Sequence, residues 1–270
     1  MKQLFFSLFL LSILVSCNNS KEIEKEEIVK VPDTSAVQEI APKEEIVEEE
    51  IEFKNDFDIL IPRSYRNWEG KNEANAITKN WSDLYEKGGK YYIGKADFKL
   101  ESGYDECIGD STKIIESNNK TMVFMDLKDL KLGEIKSLKS AKNKIWPKEK
   151  ITFTFNNVEY FLRAEGEILS SFKVHNDDEK EEIFHNVKDY KLYISTKEIP
   201  EKLLLREESF NDTFVELLFA GDIDNDGKLD FIFGANRNYE EERIILFLSS
   251  KAEKENVVKK VSEIAIQFDC

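Results

Sequence analysis

Residues Leu217 to Ser250 read LLFAGDIDNDGKLDFIFGANRNYEEERIILFLSS. An acidic stretch, Asp222 to Asp230, lies between two short apolar runs, and a third apolar run closes the segment. Apolar runs of four to eight residues, rich in Phe, Ile and Leu and bounded by Gly, Asn and Asp, have the length and punctuation of β-strands. The same pattern recurs outward along the chain. Strands are expected at 90–100 (KYYIGKADFKL), 121–127 (TMVFMDL), 151–155 and 159–163, the last two joined by a turn at Asn156-Asn157. Further strands are expected at 190–195, 213–219, 228–233, 243–248 and 264–268. Helix is expected at Lys71 to Tyr85 and at Lys128 to Ile145, and Glu179 to Tyr190 reads as helix or solvated loop. No period of 20 to 50 residues repeats, which leaves propeller and solenoid folds without support. The expected fold is mainly β, a sandwich or curved antiparallel sheet with one or two short helices, spanning residues 57–270.

The acidic stretch carries the clearest chemistry. Asp222, Asp224, Asp226 and Asp230 stand at positions 1, 3, 5 and 9 of a loop with Gly227 at position 6. Calcium is a hard cation that takes six to eight oxygens, and carboxylates at alternate positions can wrap them around one point. Gly227 permits the sharp turn, and the carbonyl of Lys228 at position 7 is a further candidate ligand. A helix-loop-helix site needs a bidentate Glu at position 12, where this chain has Phe233. The pattern resembles the Asp-x-Asp-x-Asp-Gly-x-x-Asp calcium loop of the FG-GAP and integrin-α-like repeats, which joins two strands. Those families carry several copies in a propeller; here there is one. The resemblance implies a bound Ca2+ held by Asp222, Asp224, Asp226, Lys228 and Asp230. The wider segment 217–250 also resembles uncharacterised lipoproteins of the Bacteroidetes, a resemblance that implies no activity.

The N-terminus reads as an address. Lys2 precedes an apolar run from Leu4 to Val15, too short for the roughly 20 residues a membrane-spanning helix needs. Leu14-Val15-Ser16-Cys17 resembles the bacterial lipobox, which implies a signal peptide at 1–16 and a mature chain that begins at acylated Cys17. Acyl chains anchor by burying CH₂ groups at about 0.8 kcal/mol each. Residues 18–56 hold 13 acidic against 5 basic residues and no aromatic before Phe53, the composition of a disordered acidic tether. The cluster Ser20 to Glu27 resembles the Lys-plus-acidic export signals of Bacteroidetes lipoproteins. Localisation is thus expected at the cell envelope, anchored by lipid to the outer membrane and facing either the periplasm or the exterior.

Other classes lose ground. With 54 acidic and 39 basic residues, the net charge of −15 opposes nucleic-acid binding through phosphate neutralisation. The two histidines, His175 and His185, have no motif partner, and no nucleophile elbow, zinc motif or phosphate loop occurs. No catalytic residue is therefore assigned. Tyr91 and Tyr92, adjacent on a strand, point to opposite faces, so core packing explains them better than a sugar-stacking stripe. With Cys17 acylated, Cys107 and Cys270 form an even pair in an oxidising compartment. A bridge between them and a buried free Cys107 with a frayed terminus both remain open. The leading functional expectation is a calcium-stabilised β-domain acting as a binding or structural module for an unidentified envelope or extracellular ligand. The alternative is an envelope hydrolase that uses acidic residues on a glycan or phosphate ester.

Overall fold

The computed structural model describes residues 53–140, 142–175 and 181–268. The signal, Cys17, nearly all of the tether and Cys270 lie outside the described residues. The body is built of antiparallel strands, as expected, and its only helix among the described residues is a 3-10 turn at Glu73–Asn75. In chain order the first strands are β1 (Ile59–Leu60), β2 (Ser64–Arg66), β3 (Ser82–Lys87), β4 (Lys90–Lys95), β5 (Phe98–Asp105), β6 (Asp110–Ser117), β7 (Lys120–Met125) and β8 (Gly133–Ile135). They form a five-stranded sheet, β1-β7-β3-β4-β8, and a three-stranded sheet, β2-β6-β5. Next come β9 (Lys150–Phe155), β10 (Val158–His175), β11 (Glu181–Thr196) and β12 (Lys202–Ser209), which pair in the order β12-β11-β10-β9. The last four are β13 (Glu216–Gly221), β14 (Asp230–Gly234), β15 (Glu241–Leu248) and β16 (Lys259–Gln267), a meander in sequence order.

This last sheet is the middle layer. Along β15, Ile244, Leu246 and Leu248 enter a core shared with the N-terminal sheets, while Ile245 and Phe247 enter a second core shared with the β9–β12 sheet. On β14, Ile232 faces the first core, and Phe231 and Phe233 face the second. A strand buried on both faces has no polar face to display, which explains the unbroken runs FIF and IILFL. Each such side chain contributes about 1.5–3 kcal/mol of burial. The second core also holds an aromatic cluster: Trp146 stacks on Phe214 at 4.0 Å, and Tyr190 meets Phe214 edge-on at 5.0 Å. The Tyr190 hydroxyl donates to the Ile145 carbonyl at 2.9 Å.

Both edges of the middle sheet are covered by irregular chain. On the β16 side, the Asp56 amide donates to the Val261 carbonyl at 2.8 Å, and the Asn55 side chain exchanges two hydrogen bonds with the Glu263 backbone. Residues 53–56, expected at the end of the tether, therefore include part of the folded body. On the β13 side, the amides of Leu217, Leu138 and Asp222 donate respectively to the carbonyls of Asn143, Ala220 and Lys136.

Both expected helices are absent among the described residues. In 71–85, Asn72 caps a single turn by accepting from the Ala74 amide, and from Ser82 onward the chain is strand. Gly88 and Gly89, both at positive φ, close a two-residue hairpin that commits β3 to pairing with β4. In 128–145, Asp129 and Gly133 take positive φ, and β8 pairs with β4 instead. Of the segment 179–190, the described part, from Glu181, is strand, and β10 and β11 make a far longer hairpin than expected. The Asn156-Asn157 turn is present, with φ of 44° and 67°. Tyr91 packs edge-on against Phe219 at 5.0 Å, whereas Tyr92 stacks on Tyr85 at 5.6 Å.

Candidate metal centre

Strands β13 and β14 pair antiparallel with Gly221 opposite Asp230, so the acidic loop is the hairpin connection at one end of the middle sheet. Within it, Asn225 and Gly227 adopt positive φ of 63° and 87°, which turn the chain back on itself. The loop is wound around its own carboxylates. Asp222 Oδ2 accepts from the Gly227 amide at 3.1 Å, Asp224 Oδ1 from the Asp226 amide at 3.3 Å, and Asp226 Oδ1 from the Lys228 amide at 2.8 Å.

The winding brings one oxygen from each of Asp222, Asp224 and Asp226 within 4.8 Å of one another, so these three can hold a metal ion. None forms an ion pair with a lysine or arginine among the described residues. Asp222 is only 7 % exposed, and its Oδ1 is buried without any hydrogen bond. A buried carboxylate oxygen without a partner is costly, and a cation at this point would supply the missing partner. Burial, with the charges of Asp226 and Asp224 adding to it, pushes the Asp222 carboxyl above its ordinary range. An all-oxygen donor set suits a hard cation.

Asp230 is placed differently from the other three. It is fully buried; its Oδ2 accepts from the Ile223 amide at 2.7 Å, and its Oδ1 from the amide and hydroxyl of Ser249 at 2.7 and 3.0 Å. The cluster does not include it. Its carboxylate instead staples the start of the loop to the end of β15. Burial, and secondarily the charge of Asp224, raises its carboxyl well above the usual range.

Four contributors were not visible in the loop pattern. Ser249 Oγ lies 3.0 Å from Asp226 Oδ2, and Ser250 Oγ donates to Asp224 Oδ2. Asn156, at the β9–β10 turn, donates to the Gly227 carbonyl at 2.7 Å. Tyr160 accepts from the Leu229 amide at 3.3 Å, and its phenol is raised by burial first and then by the field of the loop aspartates. The four come from other strands and turns, and only the pairing of adjacent Ser249-Ser250 at the end of an apolar run hints at a capping role.

The remaining candidates are dispersed. His185 Nδ1 lies 2.6 Å from Ser171 Oγ and its ring stands edge-on to Trp146, while His175 is exposed at the end of β10. Cys107, in the β5–β6 turn, is disulfide-bonded, and both other cysteines lie outside the described residues. No helix among the described residues is long and apolar enough to cross a membrane. Comparison with protein-family models, with curated proteins and with solved structures returned no match.

Proposed function

We propose that the chain is a lipid-anchored cell-envelope protein whose β-domain is a binding module stabilised by one calcium ion. The observation that carries the metal part is the buried, unpartnered Asp222 Oδ1 beside two further carboxylates that no cation neutralises. Asp222, Asp224 and Asp226 are the ligands, with the Lys228 carbonyl as a fourth, and Asp230 sets the loop's shape from beneath. The ion removes carboxylate repulsion, and the hairpin pre-positions the oxygens. Calcium is favoured over magnesium because the loop offers many oxygens on a flexible frame, whereas magnesium demands a tight octahedron and keeps its waters.

Extracellular calcium modules bind at about 10⁻⁴ to 10⁻³ M. At about 1 mM calcium and a Kd near 0.1 mM, linkage contributes roughly 1.4 kcal/mol. For a body of this size, that raises the melting midpoint by about 3–6 °C. The test is a thermal melt of the full chain in chelator and in calcium, paired with calorimetric titration. An unchanged midpoint with no heat of binding would leave the loop an acidic turn.

The anchor rests on the lipobox-like Leu14 to Cys17. Labelling with a fatty-acid analogue should mark the wild type and miss Cys17→Ser. With Cys17 acylated, the disulfide partner of Cys107 is Cys270. Mass mapping of non-reduced peptides should find that pair, and a free Cys270 would refute it.

A further inference from the structure

At the end of the middle sheet opposite the acidic loop lies an open cleft of about 500 Å³. That volume is within the range of small-ligand sites, roughly 300–1,000 Å³. Its floor is the start of β15 and the end of β14, where the Leu218 side chain packs over Gly234. Its rim comes from two loop segments, 211–213 and 236–239, and these are tied together. The Asn211 amide donates to the Arg237 carbonyl at 2.9 Å, and the Thr213 hydroxyl donates to the Asn236 carbonyl at 2.7 Å. The cleft is thus built into the fold.

Four carboxylates line it, and three are already neutralised. Glu216 pairs with Lys144 at 2.8 Å, Glu241 with Arg237, and Glu242 with Arg63. The fourth, Asp212, has no hydrogen-bond or ion-pair partner among the described residues, and neither has the Tyr239 hydroxyl. Asn236 uses its Oδ1 to accept from the Arg243 amide, leaving its Nδ2 as a donor at the cleft. Aromatic rings supply the apolar part of the wall: Tyr239 is 57 % exposed and Phe268 39 %.

We propose that this cleft binds a neutral carbohydrate, which names the ligand class of the binding module proposed above and rests on that reading. A sugar ring has an apolar C–H face and a rim of hydroxyls that both donate and accept. The cleft matches both: aromatic walls for the face, and for the rim acceptors at Asp212, Glu216 and Glu242, with donors at Asn236 and Lys144. A polycation would have to displace Lys144, Arg237 and Arg63 from their partners. An anion would meet the uncompensated Asp212 and find Lys144, Arg237 and Arg63 already committed to their partners. The ligand is bound and not cleaved. Glycoside hydrolysis needs a pair of carboxyls free to act on the bond; three of the four here are engaged by a lysine or arginine, which leaves Asp212 alone and no free pair.

The test is calorimetric titration of the full chain with tetrasaccharides of glucose, N-acetylglucosamine, xylose and mannose, with spermidine and citrate as charged controls. At least one tetrasaccharide should bind with a Kd below about 1 mM, and Tyr239→Ala and Asp212→Ala should each weaken it about tenfold. Neither side chain holds the fold together, so both variants should melt like the wild type. Binding should survive chelator at a temperature below the melt, because the cleft and the loop lie at opposite ends of the sheet. No binding by any tetrasaccharide, binding undisturbed in both variants, or preferential binding of spermidine or citrate would overturn the proposal. A calcium response without sugar binding would fell this inference and leave the metal reading standing; sugar binding without a calcium response would do the reverse. Release of reducing ends from a bound tetrasaccharide would overturn the binding-only assignment.

Discussion

The middle sheet is acidic at both ends, and the ends differ in what faces the acids. At the β13–β14 hairpin, three aspartates converge with backbone amides and serine hydroxyls as their only donors among the described residues. At the far end, Glu216, Glu241 and Glu242 each meet a lysine or arginine brought in from elsewhere. The numbers of acids are similar; their compensation is opposite. One end therefore asks for a cation, and the other offers hydrogen-bonding capacity with little net charge. An acidic patch acquires a chemical meaning only when its counter-charges are counted.

The comparison can be broken most severely at Asp230. Asp230→Ala would strand the buried amides of Ile223 and Ser249, and the cost should be about 3 kcal/mol in chemical denaturation. A loss under about 1 kcal/mol would show that the loop end is not stapled as described. At the other end, Glu241→Ala removes a fully buried carboxylate whose partner Arg237 is half exposed, so the loss should be smaller, about 1–2 kcal/mol.

Charge removal without loss of shape gives the sharpest contrast. In chelator, Asp224→Asn relieves repulsion and should stabilise by about 0.5 kcal/mol, whereas Glu216→Gln breaks a partly exposed pair and should destabilise by a similar amount. Calcium should reverse the first sign and leave the second untouched. Equal signs in chelator, read as melting midpoints, would dissolve the distinction between the two ends.

The smallest effect is on pH dependence. Asp83, on β3, is fully buried, Asn119 donates to its Oδ2 at 2.8 Å while its Oδ1 has no hydrogen-bond partner among the described residues, and burial raises its carboxyl. A raised carboxyl contributes stability that is fully present below its unfolded value of about 4 and lost as pH rises from there. Glu241, held low, contributes in the opposite sense: its stability is present above about pH 4.5 and lost on acidification. Asp83→Asn should therefore flatten the decline above pH 4, and Glu241→Gln the decline below it. Parallel pH profiles for the two variants would contradict this assignment.

The legible parts of this protein are the local ones. The alternation of Asp222, Asp224 and Asp226 with Gly227 lies within six residues, so the loop could be read directly. The runs FIF and IILFL announced strands but not their position between two cores, because an unbroken apolar run shows that both faces are covered and not by what. Strand β12 (KLLLREES) was missed, since its Arg206 and Glu207 break the apolar run. Gly88-Gly89, between the expected helix 71–85 and the expected strand 90–100, was passed over, although two positive-φ residues between equal-length runs are a hairpin signal. The cleft was illegible altogether. Its wall draws on residues from Lys144 to Phe268, and no local pattern encodes such a gathering.

The covered edges of the middle sheet have a consequence for self-association. A long apolar strand with an open edge is a template on which another chain can add a strand. Here β16 is occupied by Asn55 and Asp56, and β13 by Lys136, Leu138 and Asn143, neither of which continues as a regular ladder among the described residues that could pass the templating on. Where such molecules are crowded side by side on a surface, this finish keeps neighbours from zipping together. A chain shortened to begin at residue 57 would lose it on one side, and sedimentation should then reveal concentration-dependent oligomers that the longer chain does not form.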